Sequence, residues 1–342
     1  MSKELRVGVI GTGIMGQDHA RNLARGVAGA RLVALADVNE PATRTLAQEL
    51  RVSTTFSDGY HLIESGEVDA VIVATPDQFH AKYTLACIEH GLPVLCEKPL
   101  APTVEEAAAV VRRGREVAGS LVTVGFMRRF DPGYRALKDV VTQSEYGAVL
   151  MTHSVHRNVE AYPGGDSSAT VTNSAVHEID VLPWLCDSPI VDVLWTAGRA
   201  TSLLDTRHDP QLILMKDANG LLHSVELQVH AQYGYDVRCE LVCENGSVEL
   251  PSIPALSEHR PLVVSTALAR KSNYAPDWRP RFAAAYRAEL SEWVNATLAG
   301  RIPADAATME QALRATVVAE ALVTSMRDGG WVSVPSMESV VC

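Results

Sequence analysis

Leu5-Arg6-Val7-Gly8-Val9-Ile10 runs directly into Gly11-Thr12-Gly13-Ile14-Met15-Gly16. Apart from Arg6 the first six residues are apolar, as a parallel strand covered on both faces should be. The next six spell G-x-G-x-x-G. Gly11 permits a tight turn, Gly13 lets a pyrophosphate approach the backbone, and Gly16 lets the following helix pack closely on the strand.

Working outward, a second apolar run, Leu32-Val33-Ala34-Leu35-Ala36, ends in Asp37. That places an acid about 20 residues beyond the last glycine, where a dinucleotide fold uses one. The constellation points to dinucleotide binding rather than to a glycine turn with an unrelated surface acid. Asp37 would accept hydrogen bonds from the adenosine ribose and repel a 2′-phosphate, and Val38 supplies no cation to hold one. NAD is therefore expected over NADP.

The βα alternation continues through a helix near Pro41 to Leu50 and a short strand around Val52 to Phe56, then the apolar run Val68 to Ala74 closes at Thr75-Pro76. A helix opening at Asp77 to His80 ends at Gly91, and Pro93-Val94-Leu95-Cys96 delivers Glu97-Lys98-Pro99. Ligands of an open parallel sheet bind beyond the C-terminal ends of its strands, which is where Lys98 falls. The competing reading is a Glu/Lys pair that ends a strand in solvent. His80, in the first turn of its helix, either faces the cofactor or is a polar cap. A helix from about Val104 to Val117 and a strand from Leu121 to Val124 complete the first domain near Phe126.

Beyond Phe126 strands follow one another directly. Val225, Leu227 and Val229 alternate with polar neighbours, as do Val237, Cys239, Leu241 and Cys243, so both stretches read as half-buried strands. Asn219-Gly220 and Asn245-Gly246 sit between such runs and predict hairpins whose two central residues both take positive φ, hence an antiparallel meander. Residues 173 to 182 read as one helix, with Val176, Ile179 and Leu182 on its apolar stripe and Asn173, His177 and Asp180 on a polar one. An imidazole there could exchange a proton while its neighbours orient it. Ser167 to Asn173 is the one polar loop expected to act as a substrate-side flap. Two tail helices, about Arg279 to Leu298 and Met309 to Met326, are expected to cover the second sheet, and Trp331 to Val334 to form a last strand.

The composition sets outer bounds. A chain of 342 residues that is 47% hydrophobic has material for two globular domains. A net charge of -11 offers no basic face to nucleic acid or to an anionic membrane, so a small-molecule partner is expected. No stretch reaches bilayer-spanning length or resembles a signal peptide, which points to the cytoplasm. The six cysteines lie scattered without paired spacing. They read as reduced thiols, with Cys239 and Cys243 as packing residues and no metal site.

The glycine turn, Asp37, Thr75-Pro76, Glu97-Lys98-Pro99 and His177-Glu178-Ile179-Asp180 together resemble the two-domain NAD(P)-dependent sugar and polyol oxidoreductases, the glucose-fructose oxidoreductase and inositol dehydrogenase type. Gly125-Phe126-Met127-Arg128-Arg129, His156-Arg157-Asn158, Tyr233-Gly234-Tyr235-Asp236 and Asp277-Trp278 through Arg281-Phe282 to Tyr286 are similar to bacterial myo-inositol 2-dehydrogenases. The fold class expected is α/β: a doubly wound Rossmann sheet over residues 1–126 and, over 127–342, a substrate-binding and oligomerisation α+β domain with a large, mainly antiparallel open sheet.

The resemblance implies oxidation of a secondary hydroxyl of an inositol or related cyclitol or pyranose by NAD. Lys98 would hydrogen-bond the reacting hydroxyl and His177 would take its proton, with Asn173 as the third catalytic group. Arg128, His156, Asn158, Asp180 and Tyr235 would bind other hydroxyls. Cofactor contacts would fall to Gly11, Gly13, Ile14, Met15, Gly16, Asp37, Val38, Thr75, Pro76, His80, Glu97 and Lys98, with Glu97 orienting Lys98. One position departs from the pattern: inositol dehydrogenases usually carry an Asp four residues before the catalytic histidine, and here Asn173 can orient the ring without supplying a charge. The resemblance further implies a homotetramer. A redox-neutral glycosidase or lyase that uses NAD transiently, or a non-catalytic sugar or dinucleotide sensor, are the alternatives on the same fold.

Overall fold

In the computed structural model, which describes residues 4–117, 119, 121–161, 163–251, 264–266, 269–271 and 274–341, the opening stretch forms β1 (Leu5–Ile10) and α1 (Ile14–Gly26). There follow β2 (Ala30–Ala36), α2 (Glu40–Leu50), β3 (Thr54–Phe56), α3 (Gly59–Glu64), β4 (Ala70–Val73), α4 (His80–Glu89), β5 (Val94–Glu97), α5 (Val104–Glu116) and β6 (Val122–Gly125). The six strands pair in parallel in the order β3-β2-β1-β4-β5-β6. The order reverses beside β1, between β1 and β4, so the chain ends that follow these two strands open a crevice at one edge of the sheet. Every residue of β4, β5 and β6 is buried, Glu97 and Thr123 included, which is why these stretches are otherwise apolar.

The second stretch contains α6 (Pro132–Gln143), β7 (Val149–Arg157), α7 (Ser167–Thr170), a π turn at Val171–Ala175, α8 (Val176–Cys186), β8 (Ile190–Thr196), β9 (Gln211–Asp217), β10 (Leu222–Gln228), β11 (Asp236–Cys243) and β12 (Gly246–Leu250). The short pair β13 (Val264–Thr266) and β14 (Ala269–Lys271) precedes α9 (Trp278–Leu298), α10 (Met309–Asp328), β15 (Val332–Ser333) and α11 (Met337–Val341). Seven strands form one mixed sheet in the order β12-β11-β7-β10-β9-β8-β15. The expected meander is corrected at its centre: β7 lies between β10 and β11 and runs parallel to β10. Hairpin signals fix neighbours in the chain, whereas β7 arrives from far upstream and carries no turn to announce its partners.

Both hairpins form, but neither has two positive-φ central residues. Gly220 has φ 84° while Asn219 is not in that region, because Asp217 Oδ1 accepts from the amides of Asn219 (2.9 Å) and Leu221 (2.8 Å) and closes a longer loop. In the other, Cys243 pairs with Gly246 across Glu244 and Asn245, and Gly246 lies inside β12.

The chain divides into two compact units. One comprises residues 1–130, 285–316 and 336–342, the other 131–284 and 317–335. The first unit thus takes in tail segments that a continuous division at Phe126 leaves with the second. Leu290, Trp293 and Val294 of α9 belong to the same apolar cluster as Val7, Val9, Leu35 and Leu95, and Ala307 bridges to Val124 beside the edge strand β6. The expectation that the tail helices cover the second sheet is corrected for α9: the 290/293/294 spacing gives it an apolar stripe that is buried in the nucleotide-sheet core. It holds for the second half of α10, which belongs to the second unit and whose Ser325 Oγ accepts from Trp195 N of β8 at 2.9 Å.

Candidate active site

Three glycines shape the turn after β1 in different ways. Gly11 has φ 95°, and a Cβ there would lie 2.4 Å from the Ala74 carbonyl oxygen; a Cβ on Gly16 would lie 1.8 Å from the Gly11 oxygen. Both positions are closed by backbone. A Cβ on Gly13 would meet nothing within 4 Å, so the middle glycine faces open space. It is also the N-cap of α1, whose first turn has no side-chain cap and no acidic residue. Uncapped amide N–H groups at a helix start, beside a gap in the side-chain layer, form an anion site suited to a pyrophosphate.

Asp37 at the end of β2 is fixed by two main-chain amides, with Oδ2 accepting from Thr12 N (2.6 Å) and Oδ1 from Asn39 N (2.8 Å). Thr12 Oγ1 lies 3.0 Å from Thr43 Oγ1, tying the glycine turn to α2. Val38 is 83% exposed. A carboxylate held in this way beside an apolar, exposed neighbour suits a ribose diol. Ile14 is exposed at the mouth of the turn, and Met15 packs against the core.

At the end of β4 the Thr75 hydroxyl is buried with no hydrogen-bond partner among the described residues, an unmet polar group at the strand's C-terminal end. His80 is no surface cap: it is 1% exposed, with Nδ1 2.6 Å from Pro99 O and Nε2 2.8 Å from Thr75 O. Pro76 O accepts from Phe79 N at 2.9 Å, starting the short 3-10 turn before α4.

Glu97 does not end its strand in solvent. It is 5% exposed, its Oε1 is 2.7 Å from His19 Nε2, and its Oε2 accepts from Lys98 N at 3.2 Å. Burial pushes its pKa upward, but the His19 hydrogen bond, together with the charges of His19, Lys98 and His80, outweighs that and holds it below the usual carboxylate range. An ionised Glu97 thus anchors the chain on which half-buried Lys98 stands. The sequence reading overlooked His19. Its signal was a histidine among Gly16, Ala20 and Leu23, the buried face of α1.

In the second unit, His156 at the end of β7 is buried, and its Nδ1 lies 3.0 Å from Glu178 Oε2. Its ring centroid is 6.2 Å from that of His177 and 6.1 Å from that of Tyr235, and Tyr235 meets Phe282 edge-on at 6.3 Å. Asn158 is pinned by its backbone to Gln228 O (2.8 Å) and Ala231 N (2.7 Å), and its side-chain amide reaches Ser174 Oγ at 3.4 Å. Four of the named residues, His156, His177, Tyr235 and Asn158, therefore gather with Glu178 and Ser174, two partners that sequence reasoning did not assign. Asp180 is buried three residues beyond His177 on α8. Arg128, 1% exposed in the 3-10 turn Met127–Phe130, belongs to the first unit.

The single helix expected from Asn173 is corrected: α8 starts at Val176, and Asn173 lies in the π turn. Bonding from i to i+5 there breaks the even four-residue stacking that a plain α-helix would give 173 and 177. The polar flap expected over Ser167 to Asn173 is helical too. Asp166 caps it through Ala169 N at 2.9 Å, and its approach is tied down by Arg207 Nη2 to Gly165 O (2.6 Å) and His208 N to Ser167 Oγ (2.8 Å).

The first unit is thus built to take a dinucleotide, and the second gathers imidazole, phenol and amide groups that can address hydroxyls. Together they define an NAD-dependent dehydrogenase of CH–OH groups. Residues 5–126 match the oxidoreductase family with an NAD-binding Rossmann fold, and residues 138–334 match that family's C-terminal alpha/beta domain. The chain belongs to this family. It is 42% identical over 331 residues to inositol 2-dehydrogenase 2 of Paenarthrobacter aurescens, covering 95% of this chain and 97% of that one. It is 38% identical to the inositol 2-dehydrogenase of Acidothermus cellulolyticus, with 95% and 93% covered. Among solved structures, myo-inositol dehydrogenase from Lactobacillus casei in complex with NAD(H) and myo-inositol superposes with a TM-score of 0.91 at 28% identity, over 99% of this chain and 100% of that one. No helix among the described residues is long and apolar enough to cross a membrane.

Proposed function

We propose that this enzyme oxidises a secondary hydroxyl of myo- or scyllo-inositol, or of a closely related cyclitol or pyranose, to the ketone. The observation that carries the reading is the full-length likeness to inositol 2-dehydrogenases at 42% identity. The grouping of half-buried His177 with buried His156 and Tyr235 supports it, because a polyol needs several fixed polar partners. Residues 1–126 would carry the nucleotide and residues 127–342 the polyol and the subunit contacts.

Bound NAD supplies the hydride acceptor. The rest falls to the chain. His177 takes the hydroxyl proton, and Lys98, set by Glu97, donates to the reacting oxygen as negative charge grows on it. Asn173 orients the imidazole without a second negative charge, while Arg128, His156, Asn158, Asp180 and Tyr235 hold the other hydroxyls. The pairing of His156 Nδ1 with Glu178 fixes how that ring is presented.

NADH formation measured across myo-, scyllo- and chiro-inositol and common aldoses tests the reading. Reduction of NAD by at least one inositol is expected. Turnover confined to aldoses would remove the inositol assignment, and bond cleavage without net NADH would move the enzyme to the redox-neutral glycosidases. Ligand binding without any turnover would leave a sensor.

The open face of the seven-stranded sheet carries Val242, Met151 and Leu222 in one cross-strand row and Leu214 and Leu194 in the next. We infer that a second copy covers it in a homotetramer, to be checked by light scattering in solution. Cytoplasmic residence is in keeping with the free cysteines Cys87, Cys96, Cys186 and Cys243; Cys342 lies outside the described residues. Fractionation of the native host checks it.

A further inference from the structure

His80 presents an unusual pair of partners. Each ring nitrogen faces a main-chain carbonyl oxygen, Pro99 O at 2.6 Å and Thr75 O at 2.8 Å, and the ring is 1% exposed. A carbonyl oxygen has no hydrogen to give, so a hydrogen bond at each nitrogen requires a proton on each. A neutral ring would set a nitrogen lone pair against an oxygen lone pair where water cannot intervene.

We propose that His80 is held as an imidazolium and acts as a positioning residue, a double-ended strap that fixes the chain beyond β4 and β5 and, through Pro99, the placement of Lys98. The surroundings fit a cation. Cys96 and Glu97 on β5 and Asp77 in the turn before α4 all face the ring electrostatically, and Lys98 faces Glu97. Burial pulls the His80 pKa down, yet the Cys96 sulfur, the Pro99 carbonyl and the Asp77 carboxylate outweigh it and raise it to about 10. Glu97, ionised between His19 and Lys98, supplies the compensating buried negative charge.

The strap explains how a point charge on a flexible stem can be aimed. Lys98 sits between two residues whose main chains are both restrained: Glu97 folds its own carboxylate back onto the Lys98 amide, and Pro99 is held by His80. The kinetic consequence rests on the reading of Lys98 as the ligand of the reacting hydroxyl; the charge state of His80 does not.

The test has two arms. With the NAD-loaded protein labelled with 15N at its eleven histidines, one ring is expected to keep both nitrogens protonated at pH 8.5. Its ring protons should show through-space contacts to Thr75 and Pro99, an assignment that needs no variant. A bare nitrogen on that ring at pH 8.5 overturns the proposal. In the second arm, His80→Gln keeps one donor and is expected to lower kcat about tenfold, while His80→Phe keeps the ring without donors and lowers it about a hundredfold, with the KM for NAD changed less than about threefold in both. Wild-type turnover by His80→Phe would also overturn the strap. If wild-type protein oxidises no polyol, the substrate reading falls and the labelling result still decides the charge of His80.

Discussion

The glycine turn and the histidine cluster are two sites made in opposite ways. The turn is backbone: what it offers a ligand is uncapped amide N–H groups and a gap where Gly13 lacks a Cβ. The cluster is side chain: His156 from β7, Glu178 from α8 and Tyr235 just before β11 meet from three separate stretches. A backbone site is written in consecutive residues and depends on shape. A side-chain site is written in distant residues and depends on how the sheet is threaded.

That contrast can be broken by four measurements. The largest effect is expected from His177→Ala, which should lower kcat about a thousandfold, equivalent to about 4 kcal/mol, with the dissociation constant for NAD unchanged. Loss of NAD binding in a folded variant would show that the two sites are not separable.

Next in size is the pair Gly16→Ala and Gly13→Ala. The first forces a Cβ to 1.8 Å from a carbonyl oxygen and should cost about 3 kcal/mol of stability in a urea titration. The second meets no atom, so its Tm should move by less than about 3 °C while NAD affinity falls about tenfold. Equal destabilisation by both would undo the distinction between packing and ligand glycines.

Glu178→Gln is expected to act only on the side-chain site, raising the KM for the polyol about tenfold with a smaller change in kcat and none in NAD affinity. An unchanged KM would release His156 from its proposed role.

The smallest effect is pH-linked. The folded-state pKa of Glu97 is lowered, with burial opposing and His19, Lys98 and His80 prevailing. Its contribution to stability is therefore complete above the ordinary Glu value of about 4.3 and is lost as the pH falls through the lower folded value. The Tm gap between wild type and Glu97→Gln should be widest near neutrality and close below about pH 4. A gap that widens on acidification would reverse the assigned direction.

Legibility in the sequence followed the same division. Gly11 to Gly16, Asp37 and the βα alternation of the first sheet could all be read because strand, turn and helix follow one another and each residue type has a local reason. Glu97 could be seen as misplaced, but its partner His19 lies 78 positions upstream, and only the folded sheet brings α1 against the end of β5. The parallel pairing of β7 with β10 was likewise invisible: alternation shows which face of a strand is buried, not which strand lies beside it. Glu178 was hidden between two more suggestive neighbours, His177 and Asp180. The tail residues Leu290, Trp293 and Val294 displayed their stripe clearly, but a stripe does not state which core it enters.

The wide turn at Val171–Ala175 has a genetic meaning. A helix that bonds five residues apart for one turn has absorbed one residue more than a regular helix holds, without interrupting its backbone bonding. Deleting a single codon there would let the helix close up and swing the segment before it, Asn173 included, by about 100° relative to His177. The chain thus carries, beside its proposed proton acceptor, a place where inheritance by insertion and deletion can re-aim a side chain in one step while the sheet beneath keeps its pairing.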